Sequence, residues 1–115
     1  MSTIQPYKWR HFCIYANHVY TEVSRLGGYL ILPNKLRIQG VDPVDNNIIL
    51  QQEFQGGFLC EHINVTNPTL GTIQFCGNGW WYQPFPGVVG TDYFDYKLTL
   101  NGQDSNIATI AITIK

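Results

Sequence analysis

The stretch that decides the fold is Gly71–Lys115, which reads GTIQFCGNGWWYQPFPGVVGTDYFDYKLTLNGQDSNIATIAITIK. Two runs in its second half alternate apolar and polar residues with a period of two, the pattern of a strand with one buried face. The apolar positions are Phe94, Tyr96, Leu98 and Leu100 in the first run, and Ala108, Ile110, Ile112 and Ile114 in the second. Asn101-Gly102 lies between the runs, and both residue types tolerate the positive φ angles of a type I′ turn. The sequence therefore predicts a terminal β-hairpin.

The first half of the stretch predicts two more strands and a surface connection. Residues 71–75 alternate in the same way, and Asn78-Gly79 predicts a tight turn before Trp80-Trp81-Tyr82. By alternation, Trp80 and Tyr82 face the core and Trp81 faces solvent. The segment from Pro84 to Gly90 is rich in proline and glycine, which predicts a connection over the surface.

The spacing of Asp92, Phe94 and Tyr96 at the start of a strand is typical of a sandwich corner of the tyrosine type. In such a corner the tyrosine ring is buried and its phenol oxygen is hydrogen-bonded to the backbone. We therefore expect Tyr96 to contribute to the scaffold.

Together these features resemble the bacterial immunoglobulin-like, cadherin-like repeat domains, here in a single copy. The segments that carry the resemblance are Gly71-Thr72, the run from Gly79 to Pro84, Gly90-Thr91-Asp92 with Phe94 and Tyr96, the final alternating isoleucines, and the acidic turn and strand at residues 42–48. The resemblance implies an all-β fold, an immunoglobulin-like (cadherin-like) Greek-key β-sandwich of about seven to eight strands. Residues before about Gly28 do not match, so we divide the chain into an aromatic-rich N-terminal lead-in (residues 1–27) and a sandwich (residues 28–115).

Length and charge narrow the classes of function. The chain has 115 residues, enough for one domain with its own core. Its net charge of -1 and pI near 6.2 argue against binding to nucleic acid, which needs a basic surface. No segment is apolar enough for membrane insertion, and the polar start lacks the apolar core of a secretory signal peptide. We therefore expect a complete gene product made in the host cytoplasm.

Catalytic and metal-binding motifs are not visible in the sequence. His11, His18 and His62 are far apart and show no H-x-x-x-H spacing, and no phosphate-binding loop is present. We therefore expect no enzymatic activity. The three cysteines are odd in number and lack C-x-x-C spacing, so buried free thiols are expected rather than disulfides or a zinc site.

The acidic turn that contains Asp42 and Asp45 is the one candidate calcium site. Cadherin-like modules use such turns for calcium, a cation that needs oxygen ligands at short spacing. The alternative is an Asx-rich turn whose side chains accept hydrogen bonds from their own backbone. We favour the turn and expect no cofactor.

Exposed aromatic residues are the candidates for a binding surface. Trp81 and Tyr93 fall at outward positions of strands that are expected to be adjacent, where an isolated domain more often places threonine or lysine. Burying a tryptophan of about 200 Å² contributes up to roughly 5 kcal/mol gross. The full set of interface candidates is Trp81, Tyr93, Phe85, Val88, Trp9 and Tyr7. The alternative is that a loop or the lead-in covers Trp81 within the same chain.

Two functions fit these features. The first is a structural module on the surface of a bacteriophage virion, a capsid decoration or cement protein that binds capsid or other virion proteins. The second is a bacterial cell-surface adhesion module for protein or carbohydrate, in which Trp81, Tyr93 and the segment from Pro84 to Gly90 form an aromatic platform. In either case a homo-oligomer is expected, because the low charge does not oppose the pairing of sheet edges.

Overall fold

A computed structural model describes residues 9–32, 36–42, 44–45, 47–54, 60–76 and 79–115. The fold is all-β: within those ranges the chain forms eleven strands and no helix. The strands are β1 (Arg10–Tyr15), β2 (Val19–Val23), β3 (Tyr29–Ile31), β4 (Leu36–Val41), β5 (Ile49–Phe54), β6 (Glu61–Asn64), β7 (Gly71–Cys76), β8 (Gly79–Pro84), β9 (Gly90–Leu100), β10 (Gln103–Asp104) and β11 (Ala108–Ile114).

The large sheet is organised around β9, the longest strand. The first seven residues of β9 pair antiparallel with β11, and its second half pairs antiparallel with β6 and β10. The other edge of β11 pairs in parallel with β2, so that Ile110 lies opposite Val19 and Ile114 opposite Val23. A strand from the lead-in therefore runs beside the last strand of the chain.

A second sheet has the order β3-β8-β7, with antiparallel pairing throughout. Its inward side chains pack on the large sheet; the rings of Trp80 and Phe94, for example, meet edge to face with centroids 5.4 Å apart. The core cluster contains residues from both sheets, among them Ile31, Tyr82, Tyr96, Leu98, Ile110 and Ile112. This packing of two sheets face to face is the basic arrangement of a β-sandwich.

The third sheet, β1-β4-β5, meets the sandwich at one end, where β1 contacts β9 and β10. The molecule is accordingly long, 56 × 27 × 18 Å, with a radius of gyration of 16.3 Å. A compact domain of this length would have a radius of about 13 Å. Gly40 in β4 allows close packing here, because a Cβ atom at this position would lie 2.7 Å from Cε3 of buried Trp9.

The strand count exceeds the predicted seven to eight. The predicted count includes at least one strand in the lead-in, and the structure forms two there, β1 and β2, from a mixed aromatic pattern that gives a weak period-two signal. Another, β10, has only two residues and is too short for periodicity to detect. The predicted turn residues do have positive φ, 50° at Asn101 and 80° at Gly102, but they join β9 to β10, and β11 follows after a further connection.

A buried carboxylate, Asp92, ties three parts of the sandwich together. It is 1% exposed and accepts hydrogen bonds from the backbone nitrogens of Thr69 at 2.9 Å and Leu70 at 3.0 Å. It also accepts a bond of 2.6 Å from the phenol of Tyr82. Burial, with the hydrogen bond and the charge of Asp92, raises the pKa of Tyr82, so this phenol stays a neutral donor. Asp92 thereby joins β9, β8 and the connection into β7.

Tyr96 anchors the lead-in to the large sheet. Its ring is fully buried and its hydroxyl donates to the backbone oxygen of Asn17 at 2.6 Å. Burial raises the pKa of Tyr96 to about 12. The predicted hydrogen bond from the Tyr96 phenol to the backbone is confirmed. Its acceptor, however, is a carbonyl of the lead-in rather than one of the nearby corner. Asn106 adds a second tie, since its side chain accepts from the nitrogen of Ala16 at 2.8 Å and donates to the oxygen of Ala16 at 3.1 Å.

Replacing Asp92 by alanine is expected to lower the free energy of unfolding by about 3–5 kcal/mol, because buried donors lose their acceptor. Urea denaturation followed by circular dichroism measures this change. Asp104→Ala is the matched control: this carboxylate is exposed and pairs with Lys97 at 2.9 Å. A much smaller change is expected for it. Equal effects of the two substitutions would contradict the role of Asp92.

Candidate binding faces

Trp81 and Tyr93 lie on opposite outer faces of the sandwich. Their chain neighbours Trp80 and Phe94 meet in the core, and successive residues of a strand point to opposite sides. Trp81 is therefore on the outer side of the β3-β8-β7 sheet, and Tyr93 is on the outer side of the large sheet. A single aromatic platform that combines the two is not formed within one chain.

The Trp81 face is the outer surface of the β3-β8-β7 sheet, where residues of all three strands stand side by side. Trp81 pairs with Leu30 of β3 on one side and with Gln74 of β7 on the other. Trp81 is 42% exposed and Leu30 is 46% exposed. Within the described residues, the connection that contains Gly28 lies against part of the indole and leaves the rest of Trp81 exposed.

Gly28 allows the Trp81 indole to approach the backbone closely. A Cβ atom at residue 28 would lie 2.4 Å from Cζ2 and 2.7 Å from Cε2 of Trp81, and 2.7 Å from Oε1 of Gln83. Real side chains do not approach so closely, so only glycine lets the indole rest against the backbone here. The Trp81 ring therefore packs against the chain that precedes β3, while Trp81 stays partly exposed.

The Tyr93 face contains a groove. Tyr93 in β9 and Tyr20 in β2 both lie opposite Ala111 in β11, which separates them. Tyr20 is 82% and Tyr93 57% exposed, whereas Ala111 is buried beneath them. Between the two rings lies a cavity of about 660 Å³, which continues over Thr113.

The other interface candidates lie in different environments. Phe85 is exposed at the start of a turn in which Val88 donates to the carbonyl of Phe85 at 3.3 Å and Gly87 has a φ of 75°. Val88 is half-buried against the core, and Trp9 lies within the core at 5% exposure. Tyr7 is outside the described residues. In this chain Trp9 therefore packs inside the fold, and the exposed candidates are Trp81, Tyr93 and Phe85.

The acidic turn has the geometry of an Asx turn. Oδ1 of Asp42 accepts from the backbone nitrogens of Val44 at 2.7 Å and Asp45 at 2.9 Å, and Oδ1 of Asp45 accepts from Asn47 at 3.0 Å. These backbone hydrogen bonds lower the pKa of Asp42, and the bond from the Asp45 nitrogen has the larger effect. The two side chains thus bond their own backbone, as an Asx-rich turn requires.

The thiols and the other candidate metal ligands do not assemble into a site within the described residues. All three cysteines are free, but only Cys60 is buried, and burial raises its pKa to about 11. The expectation of buried thiols is wrong for Cys13 and Cys76, which lie at outward positions of β1 and β7. No group of three or more histidine, cysteine or acidic side chains is found in the parts of the chain that the structure describes.

His62 lies in an aromatic cluster between the two sheets. Its ring stacks on Phe75 with centroids 4.7 Å apart and on Tyr96 at 6.2 Å. Its Nδ1 lies 3.3 Å from the carbonyl of Cys60, and its buried Nε2 has no hydrogen-bond partner among the described residues. Burial lowers the pKa of His62, because the charged ring would be poorly solvated here.

Searches for similar proteins return no family model and no curated protein that matches the chain. Across the described ranges, no helix has the length and apolar character needed to cross a membrane.

Two residues of these faces, Tyr20 and Gly28, escaped the sequence analysis. Tyr20 stands at an outward position of β2, and its alternation with buried Val19 could have indicated this. For Gly28, nothing local indicates that a tryptophan packs against it. The core residue Asp92 fits the predicted corner pattern, but its acceptor role depends on residues more than twenty positions earlier in the chain.

Gly28→Ala is expected to displace the Trp81 indole, because the added methyl group and the ring cannot share the same space. The indole N–H resonance of Trp81 should shift and its solvent exchange should rise, while Trp9 and Trp80 keep their signals. Gly27→Ala is the matched control, since nothing lies within 4 Å of a Cβ atom at that position. An unchanged Trp81 signal in Gly28→Ala would refute the packing of the indole against the Gly28 backbone.

The lowered pKa of His62 predicts a stability that falls on acidification. Its stabilising contribution is complete above the unfolded value of about 6.5 and decreases as pH falls toward the lower pKa of the folded state, because only the unfolded chain then binds the proton. His62→Phe retains the ring stack and should flatten the stability profile between about pH 7 and pH 5. Thermal unfolding across this range tests the prediction, with exposed His11→Asn as the control. If His11→Asn flattened the profile equally, His62 would not be the responsible group.

Proposed function

We propose that the protein is a non-enzymatic binding module with an immunoglobulin-like Greek-key topology, which attaches to another protein on the surface of a bacteriophage virion. The Trp81 face is the attachment surface in this proposal. The partner is a capsid or other virion protein that offers an apolar recess for the indole.

The strand order supports the proposed topology. Immunoglobulin-like sandwiches place their C, F and G strands in one sheet and their B, E and D strands in the other. The corresponding order here is β6-β9-β11 in the large sheet and β3-β8-β7 in the opposite sheet. On this assignment, β4 and β5 are an addition between the B and C strands, and β1, which precedes the B strand in the chain, completes their sheet.

The observation that carries the proposed function is a partly exposed tryptophan that packs against the backbone of Gly28. Tryptophan is among the commonest energetic centres of protein interfaces. Contact with the Gly28 backbone on one side restricts the indole before binding, which reduces the conformational entropy that it would lose on binding. Covering the exposed part of the ring, about 100 Å², contributes roughly 2–3 kcal/mol gross.

The proposed location on a virion is supported by overall properties of the chain, its length, charge and shape, rather than by one site. The chain is short, nearly neutral and elongated, which suits a module attached side-on to a protein shell. A net charge near zero leaves apolar contact, rather than strong charge, as the basis of attachment in this proposal.

The test begins with virions from the organism that encodes the chain, purified on a density gradient and examined by mass spectrometry. We expect the chain to be present in a fixed ratio to the shell protein. Particles that lack the chain should bind it again when it is added, and Trp81→Ala should weaken this binding at least about tenfold, equivalent to about 1.4 kcal/mol.

Tyr93→Ala is the control, because it removes an exposed aromatic ring of the opposite face. It should bind the particles as the unchanged chain does. Absence of the chain from virions, with recovery from the bacterial cell surface, would favour the adhesion function instead. Equal binding of Trp81→Ala and the unchanged chain would show that another surface makes the attachment.

A further inference from the structure

The groove of the Tyr93 face is separate from the proposed attachment surface and has a different chemistry. Its walls are the rings of Tyr20 and Tyr93, and its floor is formed by Ala111 and Thr113. The lining is otherwise polar, with Thr91 and Glu22 beside Thr113 in the next row of the sheet. The open volume is about 660 Å³.

We propose that this groove binds a neutral carbohydrate chain, with one pyranose ring held between Tyr20 and Tyr93. This site is independent of attachment through Trp81 and would give the module a second function on its opposite face.

The spacing of the two rings fits a sugar. Tyr20 and Tyr93 are two strands apart, which places their backbones about 9.6 Å from each other. A pyranose ring that contacts an aromatic ring on each side requires the two aromatic rings to be about 8 Å apart, because each contact takes about 4 Å. The volume also lies within the range of about 300–1,000 Å³ that small-molecule sites occupy. A flat protein surface would rest on the two exposed tyrosines and leave the space between them unfilled, which close packing does not tolerate.

The polar groups of the groove favour a ligand that both donates and accepts hydrogen bonds. Glu22 offers carboxylate oxygens, and Oε2 of Glu22 lies 2.9 Å from Nζ of Lys115 with both side chains about two-thirds exposed. Thr91 and Thr113 offer hydroxyl groups. Sugar hydroxyls can bond all of these, whereas a hydrocarbon has no donors for the carboxylate and a proline-rich peptide has few.

Charge at one end of the groove disfavours an acidic sugar. Asp95 lies at that end, where its Oδ1 accepts from the hydroxyl of Thr109 at 2.7 Å. A carboxylate or sulfate group on the ligand would meet like charge there, whereas Glu22 at the other end is paired with Lys115. A neutral sugar meets acceptors that its hydroxyls can use.

The test is a nuclear magnetic resonance titration of the isotope-labelled chain with maltotriose, cellotriose and chitotriose, and separately with a proline-rich peptide, each added at millimolar concentrations. At least one sugar should shift the amide signals of Ala111, Thr113 and their neighbours in β2 and β9. Tyr20→Ala and Tyr93→Ala should each weaken that binding at least about tenfold, since each removes one stacking face. Trp81→Ala is the matched control, on the opposite face, and should bind the sugar unchanged.

Three results would overturn the proposal: no shift with any of the three sugars, shifts that survive both tyrosine substitutions, or shifts at these residues only with a proline-rich peptide. Trp81→Ala changes only the attachment face, and the two tyrosine substitutions change only the groove. Failure of sugar binding therefore leaves the virion proposal standing, and failure of virion attachment leaves the sugar proposal standing. The amide spectra of the two tyrosine variants also show directly whether each variant is folded.

Discussion

The carboxylate of Asp92 is the interaction on which the rest of the sandwich depends. A buried charge is stable only if its oxygens are hydrogen-bonded, and the donors here come from the connection before β7 and from Tyr82 in β8. The bonds hold β8 and β9, which are consecutive in the chain, in separate facing sheets. Once those two strands are fixed, alternation determines that Trp80 and Phe94 point inward and that Trp81 and Tyr93 point outward.

The two outer faces therefore differ for a structural reason. On one, a glycine before β3 leaves room for an indole to pack against the backbone, and the ring stays partly exposed beside Leu30 and Gln74. On the other, a small residue in the middle strand separates two tyrosines that line a groove with polar residues beside it. The two proposals assign a protein partner to the first face and a small hydroxylated ligand to the second. Since the faces point in opposite directions, the two proposals do not compete for the same surface.

The local part of this structure could be predicted from the sequence, and the long-range part could not. Alternation correctly assigned Trp80 and Tyr82 to the core and Trp81 to the surface, and Asn101-Gly102 correctly predicted positive φ angles. Alternation gives the face of a strand but not the sheet that the strand joins. For that reason the separation of Trp81 from Tyr93 and the pairing of β2 with β11 were not predicted. The sequence separation between Tyr96 and Asn17 likewise hides their bond from any local pattern.

The parallel pairing of β2 with β11 has a mechanical consequence. Val19 lies opposite Ile110 and Val23 opposite Ile114, and backbone bonds of 2.9 Å from Lys115 to Val23 and from Arg25 to Lys115 extend the ladder. A force that pulls β2 toward the N-terminus and β11 toward the C-terminus acts along both strands in opposite directions. All the bonds of the ladder then resist together in shear, instead of opening one after another. A domain joined in this way is suited to holding its position under tension between two attachment points.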